Sequence, residues 1–145
     1  MPPVNDVKSS RAFLAALTAE GSEALHGSEM EIAVFPFRVG RESRRFESRD
    51  KQASFADKRK PTNLPNNDLY LVEDSELLSV SREHFQIMRG ESGFVLEDRG
   101  STLGTIVEGR RVGGENTGGR IDLHDGDVII VGGSVSPHIY KFRVR

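Results

Sequence analysis

The 145-residue chain carries 20 Lys and Arg against 22 Asp and Glu, a formal net charge of −2, with 36% hydrophobic and 29% charged residues. That length fits one domain with a single core, and the near balance of charge gives no global pull toward nucleic acid or an anionic membrane, so any anion site is local. The absence of cysteine excludes a disulfide framework or a thiolate metal site, and neither a membrane-spanning apolar run nor an export pattern is visible, which makes a cytoplasmic setting the expectation.

Residues 1–10 are polar, contain two prolines and read as a flexible tail, with the folded domain expected over 11–145. Arg11 to Leu25 is ambiguous: its alanines and leucines favour a helix, while Ala19-Glu20-Gly21-Ser22 interrupts the run with a turn signal. Met30, Ile32 and Val34 alternate with Glu31 and Ala33 at the period of a strand. Pro36 has no N–H for a ladder and marks a bend. Phe37-Arg38-Val39 resumes the alternation and delivers Gly40-Arg41 to a loop edge.

From 42 to 66 nothing alternates, and the segment holds seven basic and four acidic residues. Such a length without periodicity marks a functional or mobile loop. Asn67-Asp68 forms a turn into a short strand at Leu69-Tyr70-Leu71, and Val72 to Leu78 is an acidic loop. Ser79-Val80-Ser81-Arg82-Glu83 is a polar turn that passes into a strand over His84 to Met88, with Phe85 and Ile87 on one face. Residues 89–93 predict a hairpin turn and Phe94 to Glu97 the returning strand. Thr105-Ile106-Val107 and Arg111-Val112 predict a second hairpin, and Gly113 to Arg120 a glycine-rich loop. Asp125-Gly126 is a tight turn before strands at Val128 to Val131 and Ile139 to Val144. Many short strands at this spacing predict an all-β fold, an antiparallel β-sandwich of about ten or eleven strands with loops at one end that can bind.

A turn that feeds a strand points side chains off the end of a sheet, where Ser81 offers a hydroxyl and Arg82 a cationic fork suited to an anionic oxygen. Arg41 alone reads as a surface arginine. His124-Asp125, with Asp122 and Asp127 nearby, invites a metal reading, but the pattern is that of a hairpin turn with Leu123 packing inward. No nucleophile elbow or phosphate-binding Gly-x-x-x-x-Gly-Lys loop occurs, so no enzyme, cofactor or metal is expected.

Gly40-Arg41, Ser81-Arg82-Glu83-His84, Ser101-Thr102-Leu103-Gly104-Thr105 and Leu123-His124-Asp125-Gly126-Asp127 occur in that order. Together they resemble the signature of the forkhead-associated (FHA) domain, in the manner of a bacterial single-domain or excised module. The resemblance implies an FHA/SMAD-type β-sandwich and phosphothreonine-peptide binding in Ser/Thr-kinase signalling. It implies that Arg41 and Ser81 hold the phosphate with help from Arg82 and Thr102, while Gly40, His84 and Gly104 support the loops. Leu103 stands where the family usually has an asparagine whose amide clamps the peptide backbone. The resemblance also makes 42–66 an insertion, Ala12 to Thr18 the first strand, and Leu25 part of the second. The expected partner is a threonine-phosphorylated protein, with no membrane contact and no prediction of oligomeric state. One alternative is a phosphate-independent (pseudo-FHA) assembly scaffold, supported by Leu103 and the insertion. A minor one is nucleic-acid binding through the basic residues 44–60, with Phe46 and Phe55 as stacking groups.

Overall fold

The computed structural model describes residues 10–42, 66–73 and 79–145. Most of the 42–66 segment, including the basic run 44–60 that carries the nucleic-acid alternative, lies outside the described residues.

Alternating apolar side chains give each strand one face that must be buried, and two sheets meet on those faces. β1 (Ala12–Ala16), β2 (Glu29–Ile32), β7 (Thr105–Val107), β8 (Arg110–Val112), β10 (Val128–Val131) and β11 (Ile139–Val144) form one sheet in the order β2-β1-β11-β10-β7-β8. β3 (Phe37–Arg41), β4 (Leu69–Leu71), β5 (Phe85–Arg89), β6 (Phe94–Asp98) and β9 (Gly119–Leu123) form the other, ordered β4-β3-β5-β6-β9. Among the described residues every strand pair is antiparallel except β3 with β4, where Val39 faces Leu69 and Arg41 faces Leu71.

Leu14, Ile129, Val131, Tyr140 and Phe142 from the first sheet pack with Val39, Leu71, Phe85, Ile87 and Leu96 from the second, all fully buried. Burying each such side chain stabilises the fold by about 1.5–3 kcal/mol. Phe94 and Phe142 meet edge to face at 5.2 Å between the two sheets.

Two expectations are corrected. β1 stops at Ala16, and Thr18 instead caps a short helix, α1 (Ala19–Leu25). Its hydroxyl accepts from the Gly21 N–H at 3.1 Å and donates to the Pro137 carbonyl, so the apparent turn signal is a helix start. Leu25 is therefore the last helical residue and a core contact, not part of a second strand, which begins at Glu29. The second correction is β9, which rises out of the stretch read as a glycine-rich loop; it pairs with β6 from Gly119 opposite Asp98 to Leu123 opposite Phe94. Among the described residues no helix is long and apolar enough to cross a membrane.

Candidate functional site

Three loops meet at one end of the sandwich, and backbone geometry joins them. Phe37, Val39 and Arg41 share the inner face of β3, so Arg41 extends a core row and ends beneath the loops at 9% exposure, not out at a free edge. Its backbone N–H donates to the Ser81 carbonyl at 2.8 Å, and its Nε donates to the Val80 carbonyl at 3.1 Å. The forty-residue gap between Arg41 and Ser81 in sequence thus closes to a direct hydrogen bond. Gly40 makes the approach possible: a β-carbon there would overlap the Arg82 carbonyl oxygen. That same oxygen accepts from the Asn67 side-chain amide at 2.7 Å.

Ser81 lies at the junction of the second and third loops. Its Oγ accepts from the Thr102 N–H at 3.0 Å, and its own proton has no acceptor among the described residues. A hydroxyl fixed in this way keeps its donor for an incoming acceptor. The Arg82 side chain is half-buried.

His84 is fully buried behind the loops. Its Nδ1 accepts from the Ser81 N–H at 3.0 Å, and Nε2 lies 2.7 Å from the Gly104 carbonyl. An acceptor role for Nδ1 requires the tautomer with its proton on Nε2, which then donates to Gly104. The ring ties the second loop to the third. Burial pushes its pKa down from the ordinary 6.5, against the opposing pull of the Gly104 hydrogen bond and the Asp98 and Glu73 charges. A second buried pair lies under the same turn. The Glu73 carboxylate accepts from the Val80 N–H at 2.7 Å and lies 3.5 Å from the His138 ring. Burial works against Glu73 ionisation, but the bonds from His138 and Val80 prevail and hold its pKa below the ordinary 4.5.

The third loop is built on Asp98, which the sequence reading missed. Its Oδ1 accepts from the N–H groups of Gly100 at 3.0 Å and Ser101 at 2.8 Å. Its Oδ2 accepts from the hydroxyls of Ser101 at 2.6 Å and Thr105 at 3.0 Å. The Ser101 hydroxyl in turn accepts from the Gly104 N–H at 2.9 Å. This network leaves Thr102 and Leu103 exposed at the rim, Leu103 at 37%. Asn67 and Arg99 were missed as well; the Arg99 guanidinium donates to the Asn67 side-chain Oδ1 at 2.6 Å and holds the amide that fixes Arg82. Parity along the strand was the available signal for Asp98, which follows Phe94 and Leu96 on the inner face of β6.

The structure thus gathers Gly40, Arg41, Ser81, His84, Thr102, Leu103 and Gly104 at one end of the sandwich, Thr102 and Leu103 at the rim and Arg41 and His84 buried beneath it, with Arg82 beside them. His124-Asp125 has no such convergence. Asp127 accepts from the His124 N–H and Asp125 from the Val144 N–H, both at 2.8 Å, as turn and strand braces. No three His, Asp or Glu side chains converge on a metal position among the described residues.

The sequence model of one family, described as the FHA domain, matches residues 37–132. No curated protein matches the chain in sequence. Among solved structures, the chain is similar to Mycobacterium tuberculosis EmbR in complex with a low affinity phosphopeptide, at 22% identity and a TM-score of 0.54. That likeness covers 92% of this chain and 24% of the EmbR chain, so the chain spans about a quarter of that relative. It is also similar to the FHA domain of CT664 from Chlamydia trachomatis (24% identity, TM-score 0.52, covering 92% of this chain and 95% of that one). A third likeness is to the kinase-interacting FHA domain of the kinase associated protein phosphatase KAPP in Arabidopsis, at 20% identity and TM-score 0.59, covering 93% of each chain.

Proposed function

The chain belongs to the FHA domain family, and from that premise we propose that it is a phosphothreonine-peptide-binding adaptor module in Ser/Thr-kinase signalling. Arg41 and Ser81 hold the phosphate, Arg82 and Thr102 add contacts, and Leu103 lies against the peptide. Gly40, His84 and Gly104 keep the loops in place. The observation that carries this reading is the Ser81 hydroxyl, fixed by the Thr102 N–H with its own proton unused among the described residues, in the residue after Val80, whose carbonyl anchors the Arg41 guanidinium. A phosphorylated side chain brings about −1.5 to −2 charges and three strong acceptors to such a pair. That EmbR, of similar fold, is in complex with a low affinity phosphopeptide supports a phosphopeptide as the class of ligand. The proposed role is binding, not catalysis, with a threonine-phosphorylated protein as partner and the cytoplasm as setting.

Titration with matched phosphorylated and unmodified threonine peptides tests the proposal. Hydrogen bonds to a charged group contribute roughly 1.5–3 kcal/mol each, so two of them separate the two peptides by at least a hundredfold. Ser81→Ala is expected to cut that ratio by about tenfold or more while the fold persists. Equal affinity for both peptides would refute the proposal. The exposed Leu103 favours one second reading, a phosphate-independent assembly scaffold, since leucine has no group with which to clamp a peptide backbone. Partner capture that survives phosphatase treatment would select that reading.

A further inference from the structure

β8 carries a cation beside the candidate site that phosphate capture leaves unused. Arg111 stands opposite Ile106 in the β7–β8 ladder, and its side chain is exposed. Among the described residues it has no hydrogen-bond or ion-pair partner. The guanidinium is nevertheless seated, in a trough floored by two glycines. A β-carbon on Gly104 would come within 2.8 Å of its Nε, and one on Gly114 within 2.5 Å of its Nη2. Both glycines have positive φ, 86° and 101°, a backbone conformation that favours glycine there.

This trough shares its backbone with the third loop. Gly104 directly follows Thr102 and Leu103, and the Thr102 carbonyl accepts from the Glu115 N–H at 2.8 Å, one residue past Gly114. The Glu115 carboxylate forms no ion pair with Arg111. A guanidinium settled along a backbone gives up little freedom on binding, and its fork matches a carboxylate or a phosphate.

We infer that Arg111 receives an anionic side chain of the phosphorylated partner, a carboxylate or a second phosphate, at a position flanking the phosphothreonine. That position is where the peptide passes Leu103 and Gly104. The inference rests on the phosphothreonine reading of the Arg41–Ser81 site and adds a selectivity element to it.

The test titrates wild type and Arg111→Gln with phosphothreonine peptides in which each flanking position is in turn alanine, glutamate, lysine or a second phosphothreonine. In wild type, one position shows roughly five- to tenfold tighter binding for an anionic residue than for alanine, in line with charge-assisted hydrogen bonding. Arg111→Gln binds the all-alanine phosphothreonine peptide as wild type does and loses that preference. The glutamate and second-phosphothreonine arms tell carboxylate from phosphate selection. Phosphothreonine-dependent binding with no anionic preference at any position, or a preference that persists in Arg111→Gln, overturns the assignment of Arg111 and leaves the site reading intact. Absence of phosphothreonine dependence in every peptide overturns both.

Discussion

Asp98 and Leu103 set two opposite demands on one loop. The Asp98 carboxylate takes four donors, so Asp98→Asn replaces an acceptor with an amide that faces hydroxyls or N–H groups. Leaving buried donors unpaired costs about 1–3 kcal/mol. The expected outcome is a lower urea midpoint together with weaker phosphopeptide binding, because Ser101 and Gly104 lose their anchor. Leu103 is the reverse case, exposed and without a polar group. Leu103→Asn restores an amide at the rim and is expected to tighten phosphothreonine-peptide binding about fivefold, as one added hydrogen bond gives about 1 kcal/mol; titration with a single peptide against both proteins measures it. Ser81 and His84 are legible together because they share one short contiguous motif, and the structure joins them through the Ser81 N–H and His84 Nδ1. Asp98 is not, because a carboxylate in the charged run Glu97-Asp98-Arg99 looks solvated until strand parity is followed past Leu96. Arg41 alone reads as a surface arginine at a loop edge for the same reason, although Phe37 and Val39 put it on the inner row. Arg41→Ala therefore removes a brace on Val80 as well as a cation, and Ser81→Ala removes the acceptor of the Thr102 N–H as well as a donor, so a urea midpoint is read beside the binding of either variant.

Between elements, contact distance decides what the sequence can show. β3 runs so close to the 79–84 loop that Gly40 has no room for a methyl group against the Arg82 carbonyl. Gly40→Ala must push apart β3, the loop and the Asn67 amide, and a loss above about 2 kcal/mol is expected, within the range for core overpacking. Gly133 provides the contrast, with nothing within 4 Å of its would-be β-carbon; Gly133→Ala is expected to change stability by less than about 0.5 kcal/mol. Urea unfolding of the two variants side by side checks both. The same logic explains the errors at element level. Propensity in Arg11–Leu25 could not reveal that Thr18 would find the Pro137 carbonyl across the chain and begin a helix there. β9 exists because β6 offers it a ladder, and its own alternation is too short to stand out from the flanking glycines.

Across the whole molecule the architecture was legible because four motifs in order fix which strand ends meet, whereas the charges buried beneath that meeting point were not. The surface ladder Arg11–Glu31 and Arg145–Glu29, at 2.7 and 2.8 Å around the Phe13 ring, is solvated and contributes little to pH dependence. The buried groups matter more. His84 has a folded pKa below its ordinary 6.5, so the unfolded chain binds the extra proton first and stability falls as pH drops below 6.5 toward the folded value. Protonation at Nδ1 would also set an N–H against the Ser81 N–H that it now accepts. Glu73 has a folded pKa below its ordinary 4.5, so its contribution is present above 4.5 and is lost as pH falls through the folded value. Both groups hold the Val80-Ser81 turn, and both losses run the same way. Urea unfolding between pH 8 and pH 4 is expected to show a plateau above about pH 6.5 and a decline below it. His84→Gln keeps a side chain able to hydrogen-bond but not to titrate. It is expected to start from lower stability and to lose the upper part of that decline, keeping the lower part that belongs to Glu73. A wild-type curve that stays flat from pH 6.5 down to 4.5, or a His84→Gln curve parallel to wild type over that window, would remove the buried histidine from the account.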